Sequence, residues 1–296
     1  MNINNYSIIT DVTCDLPQDY LKKNKITTMP LTYTMDEVEY DGTAERSLHP
    51  TDFYAKLRSG TMAKTAQVTP DKAKEYFKPE LEKGNDILYI GFSSGLSGTF
   101  QSVTIAKSDL DEEYPDRKII VIDSLCASLG QGLLVDYAVN QKAKGKSIDE
   151  VAKLVEDIKL RVCHYFTVED LNHLHRGGRV SKTSAVIGSI LGIKPVMHMD
   201  NAGKLIPIGK VRGRRQSLDA LVEKMGTKLS DYKNDYVFIS HGDSQKDAEY
   251  VASKVKEKFS IKTQIINYVG PVIGSHSGPG TIALFFIGAN RDEKPL

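Results

Sequence analysis

The chain is predicted to fold as an α/β protein in two units, the first on a largely parallel sheet and the second on a mixed sheet. Three observations carry this. Strand-sized apolar runs alternate with helical runs through the first half, the pattern of a parallel sheet covered on both faces. In the second half Asp200-Asn201-Ala202-Gly203 parts two strand-like runs as a hairpin turn, which brings an antiparallel pair among βαβ-like segments. The length, 296 residues, suits two cores better than one, so units at 1–161 and 162–296 are expected.

In chain order, Tyr6–Thr10 reads as a strand, Leu16–Lys23 as a helix opened by Pro17, and Ile26–Tyr33 as a strand. Thr51–Leu57 is helical. Pro70–Glu82 is a helix with Thr69 as its cap and proline at its first position, where the missing N–H has no intrahelical partner to lose. Strand Asp86–Gly91, helix Thr99–Leu110, strand Lys118–Asp123 and helix Gly130–Lys144 follow. Ser147 and Glu150 stand in capping-box spacing at the head of an amphipathic helix, Ser147–Leu160. In the second unit, strand Val162–Val168 precedes short helices at Asp170–His175 and Ser184–Leu191. Pro195–Met199 and Leu205–Val211 form the hairpin. Ser217–Leu229 and Ala248–Phe259 are helices; Tyr236–Ser240, Ile261–Tyr268 and Thr281–Ile287 are strands.

Composition narrows the function classes. Hydrophobic residues make up 40% and charged residues 26%, and a net charge of +1 exerts no global pull on nucleic acid or membrane. Lys210–Arg215 is a local basic patch that reads as a solvated face rather than a nucleic-acid site. Cys14, Cys126 and Cys163 are odd in number and far apart, which suits reduced thiols and a cytoplasmic location. The N-terminus lacks a signal-peptide pattern, and no apolar run reaches the length of a bilayer span. Histidine and cysteine spacing matches no metal site, and no phosphate-binding glycine motif is present.

Chemistry concentrates at four places. Asp86–Gly98 is a strand that empties into glycines and hydroxyls before a helix, the place at a sheet's carboxyl edge where ligands bind. Within it Gly91-Phe92-Ser93-Ser94-Gly95 also satisfies the nucleophile-elbow pattern, with Asp123 and His276 able to complete a serine-hydrolase order; against that, the helix begins several residues late. Thr65 precedes a capped helix and is either a loop hydroxyl or a second donor to the same anion. His175–Arg179 is a glycine-rich basic turn, an anion nest or a helix C-cap. Gly270–Gly280 holds His276 among glycines, as a donor to a ligand or to loop carbonyls.

The ordered set Asp11–Pro17, Lys64–Pro70, Gly91–Ser102, Val121–Ser124, Leu174–Ser181, Gly192–Pro195 and Gly270–Thr281 resembles the DegV family of bacterial fatty-acid-binding proteins over nearly the whole chain. Ala66, Val68 and Val12 depart from the family's usual serine, proline and serine. The resemblance implies two α/β domains with one long-chain fatty acid, such as palmitate or oleate, between them and no further cofactor. It implies a carboxylate held by Thr65, Ser94 and His276, with Ser93 alongside. It further implies that the chain is not itself an enzyme but presents its ligand to the catalytic subunit of a separate fatty acid kinase. Arg176 and Arg179 would meet the kinase or the new phosphate, and transient membrane contact fits that role.

Overall fold

A computed structural model describes residues 5–43, 45–181, 192–229 and 235–296. The helix expected at Ser184–Leu191 lies outside the described residues. The first sheet is wholly parallel, in the order β2 (Thr27–Met29), β1 (Tyr6–Asp11), β6 (Asp86–Gly91), β7 (Ile119–Asp123). The second is mixed. It runs β10 (Leu205–Arg212), β9 (Ile193–Met199), β8 (Val162–Thr167), β13 (Ile282–Ile287), β11 (Tyr236–His241), β12 (Lys262–Tyr268), and its one parallel pair is β11 with β12.

The sheets and helices stack in alternating layers. Ile9, Ile87 and Tyr89 point from the parallel sheet onto α3 (Pro70–Glu82) and α4 (Thr99–Glu113). Ile8, Leu88 and Ile90 point to the opposite face, as strand alternation requires, and meet α5 (Leu129–Ala143) and α6 (Ile148–Ile158). The same buried cluster continues through α5 into Phe166, Phe238 and Phe285 on the inner face of the mixed sheet. That is why α5 is apolar nearly all round: it has a sheet on each side. The outer face of the mixed sheet packs Tyr165, Ile239 and Leu284 against α8 (Arg214–Lys228) and α9 (Gln245–Phe259).

Local signals explain most boundaries. Thr69 accepts from the Lys72 N–H at 3.2 Å and Pro70 opens α3. Both halves of the Ser147–Glu150 capping box form. Pro17 caps α1 (Gln18–Lys23) from outside instead of opening it, and α7 covers Asn172–Arg176.

Three segments differ from expectation. The run Ile26–Tyr33 is two strands in two sheets, because Pro30 cannot donate to a ladder. After it, β3 (Thr32–Met35) joins β4 (Val38–Tyr40) and β5 (Ala63–Ala66) in a small antiparallel sheet. The β3–β4 turn uses Asp36 and Glu37, both at positive φ, without the glycine that marks such turns in sequence. Finally, Gly270–Gly280 contains a helix, α10 (Pro271–Ser277). A Cβ on Gly274 would fall 2.6 Å from the Tyr54 hydroxyl, so this glycine serves close packing on α2 (Pro50–Arg58).

Beyond β13, Arg291 is fully buried. Its guanidinium donates to the Leu125 carbonyl at 2.8 Å and reaches Asn201 Oδ1 at 3.4 Å, tying the tail to the loop after β7 and to the β9–β10 hairpin.

Candidate functional site

A cavity of about 200 Å³ opens between the two sheets at the carboxyl edge of the first. Its apolar wall includes Phe92, Leu96, Met199, Val272, Ile273 and Phe285. Thr65, Ser97, Arg179 and His276 line it as well.

Thr65 stands on β5 opposite Tyr33, and His276 on the last turn of α10. Their Oγ1 and Nε2 atoms lie 2.8 Å apart. Burial, followed by the nearby Arg179 charge, lowers the His276 pKa to about 4, so the imidazole is neutral at neutral pH. Its Nδ1 is buried with no hydrogen-bond partner among the described residues. A Cβ on Gly177 would stand 2.1 Å from that nitrogen, so only glycine lets the His175–Arg179 turn come this close.

The serines separate. Ser93 is fully buried; its hydroxyl donates to the Gly203 carbonyl at 2.8 Å and accepts from the Gly95 N–H. Ser94 is exposed, and its N–H donates to Asp123 Oδ1 at 3.2 Å. Neither lines the cavity, whereas Ser97 does. The Ser97 hydroxyl sits 3.0 Å from that of Thr99 and accepts the Thr99 N–H, at the start of α4. Four hydroxyls within seven residues gave sequence reasoning no means to choose; the turn at Ser93–Leu96 decides which one faces inward. A hydrolase triad is not assembled, since His276 engages Thr65 and Asp123 accepts the Ser94 and Leu125 N–H groups.

The two arginines also part company. Arg179, expected to reach a partner, turns inward: its guanidinium donates twice to the Leu96 carbonyl, at 2.9 and 3.1 Å, and also to that of Gly177. Arg176 is exposed, 3.3 Å from His173 Nδ1. It lines a second depression of about 270 Å³ with Thr61, Lys64 and His173. Thr65, Arg179 and His276 border both spaces and so form the wall between them.

At the other end of α10, Asp15 is buried and sits at φ 53°. Its carboxylate accepts the Gly270 N–H at 3.0 Å and the Ser128 hydroxyl, and its carbonyl accepts from Asn267. Burial raises its pKa to about 7. Ser128, itself at φ 52°, and Ser240 both line the cavity, with their hydroxyls 2.9 Å apart. Sequence reasoning gave no role to Asp15, although it lies in the Asp11–Pro17 motif, nor to Ser128 or to Ser240 on its predicted strand. Among the described residues no group of histidine, cysteine, aspartate and glutamate is placed to hold a metal ion, and no helix is long and apolar enough to cross a membrane.

The profile described as "Uncharacterised protein, DegV family" matches residues 5–289. The chain belongs to the DegV family. A DegV domain-containing protein of Clostridium perfringens is 44% identical over 287 residues, 97% of this chain and 99% of the relative. Among solved structures, a stearic acid-binding protein from Eubacterium ventriosum superposes with a TM-score of 0.87 at 25% identity, covering 96% of this chain and 98% of that one. A fatty acid binding DegV protein from Streptococcus agalactiae gives 0.83 at 28% identity, covering 96% and 99%. These DegV neighbours are fatty-acid-binding proteins of the same α/β fold.

Proposed function

We propose that this protein binds one long-chain fatty acid, such as palmitate or oleate, in the cavity between units 1–161 and 162–296. The observation that carries the reading is an apolar cavity bordered by the Thr65–His276 pair and the Ser97 hydroxyl. An ionised carboxylate only accepts hydrogen bonds, and these groups offer donors to it. Ser97 takes the place in the carboxylate set that Ser94 was expected to hold, because Ser94 faces away from the cavity.

The chain supplies most of the affinity. Burying about fifteen methylenes at about 0.8 kcal/mol each sets an upper bound of roughly 12 kcal/mol, which association and ordering costs then reduce. The head group orients the ligand and selects acids. Denaturing the purified protein and analysing the extract by mass spectrometry is expected to release a long-chain fatty acid. No released acid, together with no binding of added palmitate or oleate, overturns the reading.

In this reading the chain is a carrier, and a separate fatty acid kinase performs the chemistry. The outer depression with Arg176 lies across the Thr65–His276 wall, where a partner's phosphoryl group would approach the carboxylate. Arg176→Ala is expected to leave fatty-acid affinity nearly intact but to slow acyl-phosphate formation by a cognate kinase about tenfold, equivalent to about 1.4 kcal/mol. Normal turnover would remove Arg176 from that role. Three buried, unpaired cysteines fit a reducing compartment such as the cytoplasm.

A further inference from the structure

A separate recess lies at the amino-terminal edge of the parallel sheet, the edge opposite the cavity. It is a depression of about 560 Å³ against the starts of β1 and β2, at Tyr6, Ser7 and Thr27. Four lysines line it: Lys22 on α1, Lys25 just beyond, Lys83 after α3 and Lys142 on the last turn of α5. Glu80 on α3 is the one acid among the lining residues, so four lysines against one glutamate leave three positive charges in excess. That glutamate is already engaged. One of its oxygens accepts from Lys83 at 2.7 Å; the other accepts from Asn85 at 2.8 Å and from the Ser7 hydroxyl.

The other lysines have no carboxylate to meet. Lys22 and Lys25 are exposed, and neither they nor Lys142 form an ion pair among the described residues. Lys142 is half-buried. Its ammonium stands 4.6 Å from the centre of the Tyr6 ring and donates to the Tyr6 carbonyl, which fixes it at the recess wall with donors to spare. Burial holds its pKa below the usual lysine range; Glu80 draws it back up, and the Lys25 charge pushes it down. Like charges gathered around a concave surface, with their one acid already taken, attract an anion. The residue types narrow which one. Arginine would offer a planar fork matched to a carboxylate, whereas lysines act as point charges that suit the clustered oxygens of a phosphate. Gln18 and Thr28 beside them suit a polar body rather than an acyl chain.

We propose that this recess binds a small, polar phosphate monoester through Lys22, Lys25 and Lys142, as a second ligand site distinct from the cavity. The test is calorimetric titration of the full chain at low ionic strength with inorganic phosphate and ribose 5-phosphate, and with ribose as the uncharged control. Saturable binding of both phosphates and none of ribose is expected, weakening as salt is added. Lys142→Gln is expected to weaken it about tenfold, as for a bond to a charged group, and the exposed Lys25→Gln about threefold. Lys210→Gln, which removes the same charge from the exposed Lys210–Arg215 patch, is expected to leave it unchanged. The melting temperature of each variant reports that it is folded. Saturable binding of neither phosphate, or equal losses in Lys142→Gln and Lys210→Gln, overturns the site. Binding to phosphatidylglycerol vesicles with no binding of ribose 5-phosphate overturns it too, since the lysines would then serve a lipid surface.

Discussion

At its first turn α10 meets the Asp15 carboxylate through the Gly270 N–H; at its last it meets Thr65 through the His276 imidazole. One end is a buried acid with no ion-pair partner among the described residues, the other a buried base. Burial raises the acid's pKa to about 7 and lowers the base's to about 4, in each case favouring the neutral form. Between those values both ends of the helix are largely uncharged. The difference lies in what each end can offer. In the proposed reading the His276 end presents donors toward the carboxylate, whereas the Asp15 end is closed on itself by the Gly270 N–H and the Ser128 hydroxyl.

The largest effect should come from removing the His276 end. Thr65→Val combined with His276→Leu is expected to weaken fatty-acid binding by roughly a hundredfold or more, at about 1.5–3 kcal/mol for each hydrogen bond to a charged acceptor. Asp15→Asn should weaken it far less. Calorimetric titration of both variants checks this, and equal losses would erase the functional distinction between the ends.

Acid stability sharpens the contrast, since the two ends titrate with opposite sign. Asp15 is raised when folded, so its contribution to stability is greatest at low pH and is lost as pH rises through about 7. His276 is lowered when folded, so its contribution is lost as pH falls from the ordinary histidine range toward about 4. Urea unfolding at pH 8 and pH 5 is expected to shift the difference between wild type and Asp15→Asn toward wild type by about 2 kcal/mol on acidification. His276→Leu should shift the comparison the other way, becoming more acid-resistant relative to wild type. The same sign for both variants would contradict the assigned burial effects.

The smallest effects lie in the serine segment. Ser97→Ala is expected to cost about tenfold in fatty-acid affinity, near the lower limit for a bond to a carboxylate, and Ser94→Ala almost nothing. A larger loss at Ser94 would restore it as the head-group ligand.

Much of this was legible in the sequence because its signals are local. The Thr69-Pro70 cap, the Ser147–Glu150 box and the apolar run into Gly91 each state their structure within a few residues. The hairpin at Asp200–Gly203 does the same. What escaped depends on distant neighbours. The glycines around His276 looked like a loop because only the facing Tyr54 ring explains Gly274 within a helix. The Asp36–Glu37 turn uses residues that seldom adopt its backbone, so no composition cue announced the small sheet that carries Thr65. Thr65 and His276 were legible as a pair only through family resemblance, since 211 positions separate them. Ser97 was obscured by its neighbours, and Asp15 because its partners Ser128 and Gly270 lie far away in sequence.

The buried Arg291 has a mechanical consequence. Its bonds to Leu125 and Asn201 lie between the chain's tail and β13. A pull on the tail would load the mixed sheet first, because the Leu296 N–H donates to the Pro207 carbonyl on β10 and Glu293 accepts from Tyr165 on β8, and would reach the loop after β7 through Arg291. That loop runs directly into Ala127 and Ser128 on the cavity wall. Tension at the C-terminus would thus pass through strand contacts on β8 and β10 before it reached the cavity lining.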